Sequence, residues 1–107
     1  MAMSTRLPGA KYKRVFDSGR VLKGRLMSAW VLRHSDAGRQ AGVVVSKKSF
    51  HDAVDRNRAK RIMREAFRLL AAEMPPDCDW VLVGRSGLRG RRTADVMAEL
   101  RWMCGKC

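Results

Sequence analysis

The feature that most constrains the fold is a long helical pattern set between two apolar, β-branched runs. Residues 53–73 contain neither proline nor glycine, and Pro75 and Pro76 end the segment. The run "AGVVVSKK" precedes it and "DWVLVGRS" follows it, and both are typical of buried strands. We therefore expect a helix from about Ala53 to Glu73, with Asp52 as its N-cap, packed against a sheet that contains both strands.

The two sides of this helix differ in chemistry. At 100° per residue, apolar side chains gather on one side, namely Ala59, Ile62, Met63, Ala66, Leu69 and Leu70. A row of cations with i, i+4 spacing occupies the other side: Arg56, Lys60, Arg64 and Arg68, with Asn57 and Arg61 beside the row and Arg58 nearer Glu65.

The charge pattern points to an acidic partner. A solvated helix face usually mixes signs, because like charges four residues apart destabilise a helix. Here Glu65 is the only acid on the middle turns, and four of the five cations in "DRNRAKRIMREAF" are arginine, which binds phosphate bidentately. The whole chain has 23 basic and 10 acidic residues, for a net charge of +13. This balance favours contact with nucleic acid.

The rest of the chain predicts one α+β domain over residues 1–107, with a small four-stranded sheet and helices in the order α-β-β-β-α-β-α. The first helix is expected from Ala10 to Ser18, and Gly24 marks a turn or bulge between two strand segments. The last strand is expected from Trp80 to Arg85. Thr93 is expected to cap a last helix, whose apolar positions are Val96, Met97, Leu100 and Met103.

Several classes of protein are excluded or disfavoured. No apolar run approaches the 18 residues of a membrane span, and the first residues lack a secretory signal, so we expect a soluble, cytoplasmic protein without a membrane partner. Three cysteines do not suit a disulfide framework. A zinc site needs four ligands, and only Cys78, His34 and His51 could complete one begun by Cys104 and Cys107, so we expect reduced thiols at a frayed end and no metal site.

The aromatic residues favour RNA over DNA. A helix that reads the DNA major groove usually belongs to a helical module, whereas this one has strands on both sides. Tyr12 and Phe16 lie four residues apart on one helix face, and Trp30 lies on a strand. Such rings suit stacking on unpaired bases, although burial in the core is the ordinary alternative for an aromatic pair.

The segment "GVVVSKKSFHDAVDRNRAKRIMREAFR" resembles the signature of the bacterial ribonuclease P protein subunit. That family has a strand ending in S-K-K or a similar triplet, a short loop, and a helix with the pattern R-N-R-x-K-R-x-x-R-E/Q-x-F. The upstream "RLPGAKYKRVFDSGR" and the downstream "DWVLVGRSG" are similar to the family as well, so the resemblance covers nearly the whole chain. The loop "SFHDAV" departs from the I-G-N-A-V of many members, being longer and without glycine.

The resemblance implies a fold with a left-handed β-α-β crossover and a subunit that binds the catalytic RNA of ribonuclease P. That RNA removes the 5′ leader of precursor tRNA with Mg²⁺, and this chain would supply no catalytic residue. Ribozyme RNA would be bound by Arg56, Asn57, Arg58, Lys60, Arg61 and Arg64, together with Lys47, Lys48 and Arg68. The single-stranded leader would be held in a cleft lined by Tyr12, Phe16, Trp30 and Lys60.

Three alternatives remain open at this stage. A general RNA-binding ribosomal or assembly protein shares the size, charge and α+β plan. A protein-only nuclease would use His34 and His51 as acid and base, with Lys47 or Lys48 binding phosphate. A DNA-binding module comes third, and we expect no DNA partner.

Overall fold

The computed structural model describes residues 6–106, which form the predicted order of helices and strands. The elements are α1 (Tyr12–Ser18), β1 (Arg20–Lys23), β2 (Met27–Arg33), β3 (Ala41–Val45), α2 (Ala53–Leu70), β4 (Cys78–Gly84) and α3 (Thr93–Cys104). Short 3-10 turns lie at Gly9–Lys11, Ala71–Glu73 and Ser86–Leu88. Within the described residues, no helix combines the length and the apolarity that crossing a bilayer requires.

The four strands form one mixed sheet in the order β1-β2-β4-β3. Strands β1, β2 and β4 are antiparallel neighbours, and β3 pairs in parallel with β4. Parallel neighbours require a crossover, and here α2 provides it. The predicted α+β fold with four strands is therefore confirmed, while the left hand of the crossover stays a prediction from the resemblance.

Helices α2 and α3 cover one face of the sheet and form the main core with it. The largest buried side chains there include Trp80 and Phe67, whose rings meet edge to face at 6.2 Å. Met27 and Ala29 of β2 are fully buried in the same core. Each such large apolar side chain contributes about 1.5–3 kcal/mol relative to an exposed one, so this layer fixes where α2 lies.

Helix α1 covers only part of the opposite face. Val15 is 1% exposed and packs with Leu7 and Val81 in a second, small cluster. Tyr12 and Trp30 border this cluster and are only partly buried. The opposite face of the sheet is therefore covered only where this small apolar cluster lies, and the rest of that face stays partly exposed.

Helix α2 differs from the predicted apolar side at two positions. Leu69 is 48% exposed, whereas Phe67, which the prediction omitted, is 1% exposed. The two residues lie at opposite edges of the apolar arc, where periodicity alone does not decide burial. The prediction for Leu69 was wrong because Phe67 packs on the ring of Trp80 in β4, which orients its edge of the arc toward the core and leaves the Leu69 edge toward solvent.

Several element ends also differ from the prediction. The first helix opens as a 3-10 turn at Gly9, α2 gives way to a 3-10 turn after Leu70, and β4 begins two residues earlier than expected. Asp52 does hold the N-cap position of α2, but its side chain makes no capping hydrogen bond. Thr93 is not the cap of α3.

At the start of α3, Arg92 holds the N-cap position and the Asp95 carboxylate accepts a hydrogen bond from the Arg92 N–H at 2.9 Å. This bond satisfies a backbone donor at a helix start, which is the purpose of a cap.

The β1–β2 turn is held by a carboxylate from α3. Glu99 accepts hydrogen bonds from the backbone N–H groups of Arg25, Leu26 and Met27 at 2.6–3.1 Å. The carboxylate comes so close that a Cβ at Gly24 would lie 2.5 Å from it. Gly24 therefore marks the predicted turn, and the physical reason is close approach by α3.

Candidate nucleic-acid interface

Three aromatic residues meet on the α1 side of the sheet. The Phe16 and Trp30 rings pack edge to face with centroids 5.1 Å apart, and Phe16 remains 36% exposed. The Tyr12 ring lies over Gly42 of β3, where a Cβ would come within 2.3 Å of it. Because Val15 takes the buried position of α1, these rings are not closed inside a core.

A row of small and apolar side chains continues the sheet surface beside α1. Register pairs Ser28 with Val83 and Val83 with Val44, and each is partly exposed. We call the surface formed by Tyr12, Phe16 and Trp30 with these three residues the aromatic cleft. The sequence prediction missed its floor, although strand alternation places Ser28 on the same face as Trp30.

The cations of α2 lie on the opposite side of the sheet. Asn57, Arg61 and Arg68 are exposed on the outer surface, and Lys60 and Arg64 are half-buried on one flank. The other flank carries Arg58.

Arg58 and Arg61 line a groove of about 350 Å³ with Arg92 and Thr93 of α3. Glu65, which is paired with Arg68, also lines the groove. The three guanidinium groups outnumber this carboxylate, and their geometry suits phosphate oxygens. The sequence prediction missed Arg92, and the available signal was the basic loop "GLRGRR" directly before α3.

Arg56 has a different environment from the other cations of its row. Its guanidinium donates hydrogen bonds at 2.8 Å to the backbone carbonyls of Phe50 and His51. Arg89 donates to the carbonyl of Ser49 at 2.6 Å and lies 5.3 Å from the centre of the buried Phe50 ring. The loop that lacks the usual glycine is thus fixed from both sides by arginine.

Lys47 and Lys48 lie exposed on the turn between β3 and this loop. The turn is closed by the Ser49 N–H, which donates to Ser46 Oγ at 3.2 Å. Both ammonium groups are therefore presented next to the N-terminal end of α2.

Arg68 forms an ion pair with Glu65 at 2.6 Å. Hydrogen bonding from Arg68 lowers the pKa of Glu65, and the same bond raises the pKa of Arg68. Because both groups are largely exposed, the pair adds little stability. The ion pair matters for electrostatics, because the negative charge of Glu65 offsets the positive charge of Arg68 that would otherwise attract RNA phosphates.

The two histidines lie at opposite ends of the sheet. His34 follows β2, and its Nε2 is 2.9 Å from the carboxylate of the buried Asp79. His51 follows β3. The register separates the two strand ends by six residues of β4, or about 20 Å. A nuclease site that combines both histidines is therefore not formed.

The cysteines do not gather either. Cys78 is buried in the core, and Cys104 ends α3 with its thiol donating to the carbonyl of Glu73 at 3.4 Å. Cys104 was wrongly predicted to be frayed, and Cys107 lies outside the described residues. Among residues 6–106, no three His, Cys, Asp or Glu side chains are grouped so as to hold a metal ion.

Comparison with known proteins identifies the family. The model of the family described as Ribonuclease P matches residues 5–107. The chain belongs to the ribonuclease P protein family. The ribonuclease P protein component of Gluconacetobacter diazotrophicus is 39% identical over 95 residues, covering 86% of this chain and 80% of the relative. That of Shouchella clausii is 33% identical over 97 residues, covering 90% and 79%.

Solved structures of ribonuclease P proteins have the same fold. The Thermotoga maritima protein superposes with a TM-score of 0.81 at 23% identity, covering 95% of this chain and 96% of that one. The Staphylococcus aureus protein gives 0.77 at 23% identity, covering 97% and 94%. The resemblance is confirmed, and the chain is a protein component of ribonuclease P, a ribonucleoprotein of tRNA processing. The roles of individual residues stay predictions.

Proposed function

We propose that this ribonuclease P protein binds the catalytic RNA through α2 and the 5′ leader of precursor tRNA through the aromatic cleft. The RNA would then remove the leader, and the protein would act by binding and orientation. General RNA binding in a ribosomal or assembly protein was the alternative, and family membership favours the ribonuclease P role over it.

The main support for the proposal is that β3 lies between the aromatic cleft and the cationic helix α2. On one face of this edge strand lies the Tyr12 ring, and on the other face α2 packs. The Arg58 flank of α2 faces α3, so the opposite flank with Lys60 and Arg64 faces the free edge of β3. A strand of RNA in the cleft would therefore have its phosphates within the field of α2 cations.

The two surfaces suit two different tasks. Stacking on aromatic rings tolerates sequence, at about 1–3 kcal/mol per base, which fits leaders of different sequence. Arginine and lysine on α2 neutralise phosphates, which lowers the repulsion between two polyanions that must approach each other. The protein with its net charge of +13 would thereby reduce the concentration of Mg²⁺ that the reaction needs.

Mg²⁺ belongs to the RNA in this proposal, as the resemblance to the ribonuclease P protein family implies. Bound by the RNA, such an ion would supply activation of a water molecule and stabilisation of developing negative charge on oxygen. The residues of this chain position the leader and the ribozyme relative to each other and carry no proton in the cleavage step.

A reconstitution tests the proposal. The chain is mixed with a bacterial ribonuclease P RNA and a precursor tRNA at a Mg²⁺ concentration where the RNA alone is nearly inactive, and the cut is mapped. We expect cleavage at the mature 5′ end only when protein and RNA are both present. RNA binding without stimulation of cleavage would contradict the proposal and favour the general RNA-binding role.

A further inference from the structure

We propose that a groove beside the β1–β2 turn binds an unpaired nucleotide of single-stranded RNA, with the base stacked on Trp102. This site would extend the aromatic cleft, so the inference rests on the proposed function of that cleft. Three independent features of the groove point to this occupant: an exposed aromatic ring, a surplus of available cations, and continuity with the cleft floor.

Trp102 is not part of the hydrophobic core. Helix α3 buries Val96, Leu100 and Met103, while Trp102 is 51% exposed on the outer side of the same helix. The indole borders a groove of about 650 Å³ between α3 and the β1–β2 turn, with Leu26 among its lining residues. A flat ring at the wall of an open groove is the kind of surface on which an unpaired base stacks.

Cations surround the ring. Lys23, Arg25 and Arg91 line the groove, and the Lys106 ammonium lies 5.4 Å from the centre of the indole. Lysine side chains are flexible, so Lys106 can leave the ring for a phosphate when a base arrives. The combination of an aromatic ring with several cations is typical of single-strand RNA sites and does not suit an apolar protein partner.

The two carboxylates of the groove are already occupied by backbone donors. Glu99 accepts the N–H groups of the β1–β2 turn at 2.6–3.1 Å, and Asp95 accepts the Arg92 N–H at 2.9 Å. Charge-assisted bonds of this kind hold the carboxylates in place. Arg91 donates to the carbonyl of Gly87 at 3.4 Å, whereas no carboxylate among the described lining residues is paired with the side chain of Lys23 or Arg25. With Lys106 beside Trp102, four cations stand against two carboxylates, and the groove retains a surplus of positive charge.

Lys23 links the groove to the aromatic cleft. It pairs with Ser28 in the register of β1 and β2, and so continues the floor row of Val44, Val83 and Ser28 to the edge of the sheet. The same lysine lines the groove beside Trp102. An RNA strand that leaves the cleft across β1 thus meets a cation first and then the indole.

The test compares short and long single-stranded RNA on the full chain. Fluorescence anisotropy measures binding of labelled oligouridines of about 4 and about 12 nucleotides, which bracket the usual range of single-strand site sizes. We expect Trp102→Ala to weaken binding of the long RNA by about 5- to 150-fold, the loss of one stacked base, and to leave the short RNA unaffected. Phe16→Ala should weaken binding of both.

Two further variants serve as controls. Trp102→Phe keeps an aromatic ring and should retain most of the affinity for the long RNA. Leu69→Ala removes an apolar side chain of similar exposure on α2, 48% against 51%, and should change neither affinity. Circular dichroism of each variant checks that the fold is intact.

Distinct outcomes would overturn the proposal. If Trp102→Ala leaves long-RNA binding unchanged while Phe16→Ala weakens it, the groove is not an RNA site although the cleft is. If neither variant has an effect, both the groove and the cleft assignments fail. Equal losses for short and long RNA would show that Trp102 is not an extension of the cleft. Loss of a dimer in sedimentation, with RNA affinity unchanged, would assign the groove to a second copy of the chain.

Discussion

At the scale of single residues, the aromatic cleft depends on where α1 divides its side chains between core and solvent. Val15 takes the buried place, so the Phe16 ring can pack edge to face on Trp30 and still expose 36% of its surface. An edge-to-face pair presents one ring face to solvent more firmly than a single mobile ring would. This arrangement allows each ring of the cleft to be tested separately.

Phe16→Ala is expected to weaken binding of precursor tRNA to the assembled enzyme by about 1–3 kcal/mol, because one stacking partner of the leader is lost. Mature tRNA has no leader, and its binding should not change. Dissociation constants for both RNAs measure the difference, with Phe16→Trp as the variant that keeps a ring. Equal losses for precursor and mature tRNA would contradict the assignment of the cleft.

Gly42→Ala is expected to act through Tyr12, since the new methyl would lie 2.3 Å from the phenol ring. The ring can rotate away, so stability should fall by no more than about 1 kcal/mol, while leader binding should fall as far as in Tyr12→Ala. The double variant should lose no more than either single one. Gly9→Ala, where a Cβ meets nothing within 4 Å, is the matched control. Additive losses of leader affinity in the double variant would show that Gly42 does not act through Tyr12.

At the scale of elements, hydrophobic periodicity predicts burial well where a helix or strand has one solvent-exposed and one buried side. It does not predict burial where a contact with a residue distant in the chain determines which side chain is buried. The start of α2 and most of its buried side followed from the sequence, but the choice between Phe67 and Leu69 depended on Trp80, which is remote in the chain. The cap of α3 was misplaced because Asp95 reaches back to Arg92, a bond that residue type alone does not determine. The floor of the aromatic cleft required strand register, which only the sheet supplies.

The β1–β2 turn is predicted to depend on one side chain of α3. Glu99→Ala removes the acceptor for three backbone N–H groups and should lower the free energy of unfolding by about 2 kcal/mol or more. Urea unfolding followed by circular dichroism measures the change. Glu73→Ala is the control, because the Glu73 carboxylate makes an exposed ion pair with Arg101 at 3.6 Å and its loss should cost little, while the backbone carbonyl that accepts from Cys104 is retained. Similar costs for both variants would show that the turn does not need Glu99.

Helix α2 should determine the salt dependence of binding to the catalytic RNA. Arg56 is engaged with the loop, which leaves Arg58, Lys60, Arg61 and Arg64 for phosphates. Four such contacts give a slope of log affinity against log salt of about −2.8 to −3.6, and Arg61→Ala should reduce its size by about 0.7–0.9. Arg101→Ala, on α3 and paired with Glu73, should leave the slope unchanged. A slope near −1 would show that α2 does not lie in the interface with the catalytic RNA.

At the scale of the whole molecule, the sheet separates the two surfaces that we propose to bind different RNAs. The aromatic cleft lies on the α1 face, whereas the cations of α2 project from the helical layer on the other face. A strongly basic chain would attract RNA in any orientation. Under the proposed function, the division between a ring-lined cleft and a cationic helix would convert this general attraction into a defined arrangement of leader and ribozyme.

This separation predicts that Phe16 in the cleft and Arg61 on the outer surface of α2 act independently, whereas Lys60 and Arg64 face the edge of β3. Arg61→Ala should weaken assembly with the catalytic RNA, yet leave the affinity of the fully assembled enzyme for precursor tRNA unchanged. Phe16→Ala should do the reverse. In the double variant, each loss should equal that of the single variant within about 0.5 kcal/mol, because sites without shared partners add. Titrations of protein into catalytic RNA, and of precursor tRNA into saturated enzyme, measure the two affinities. Coupling above this value would mean that leader and ribozyme share one continuous surface, with Lys60 at the edge of β3 as the first residue to test.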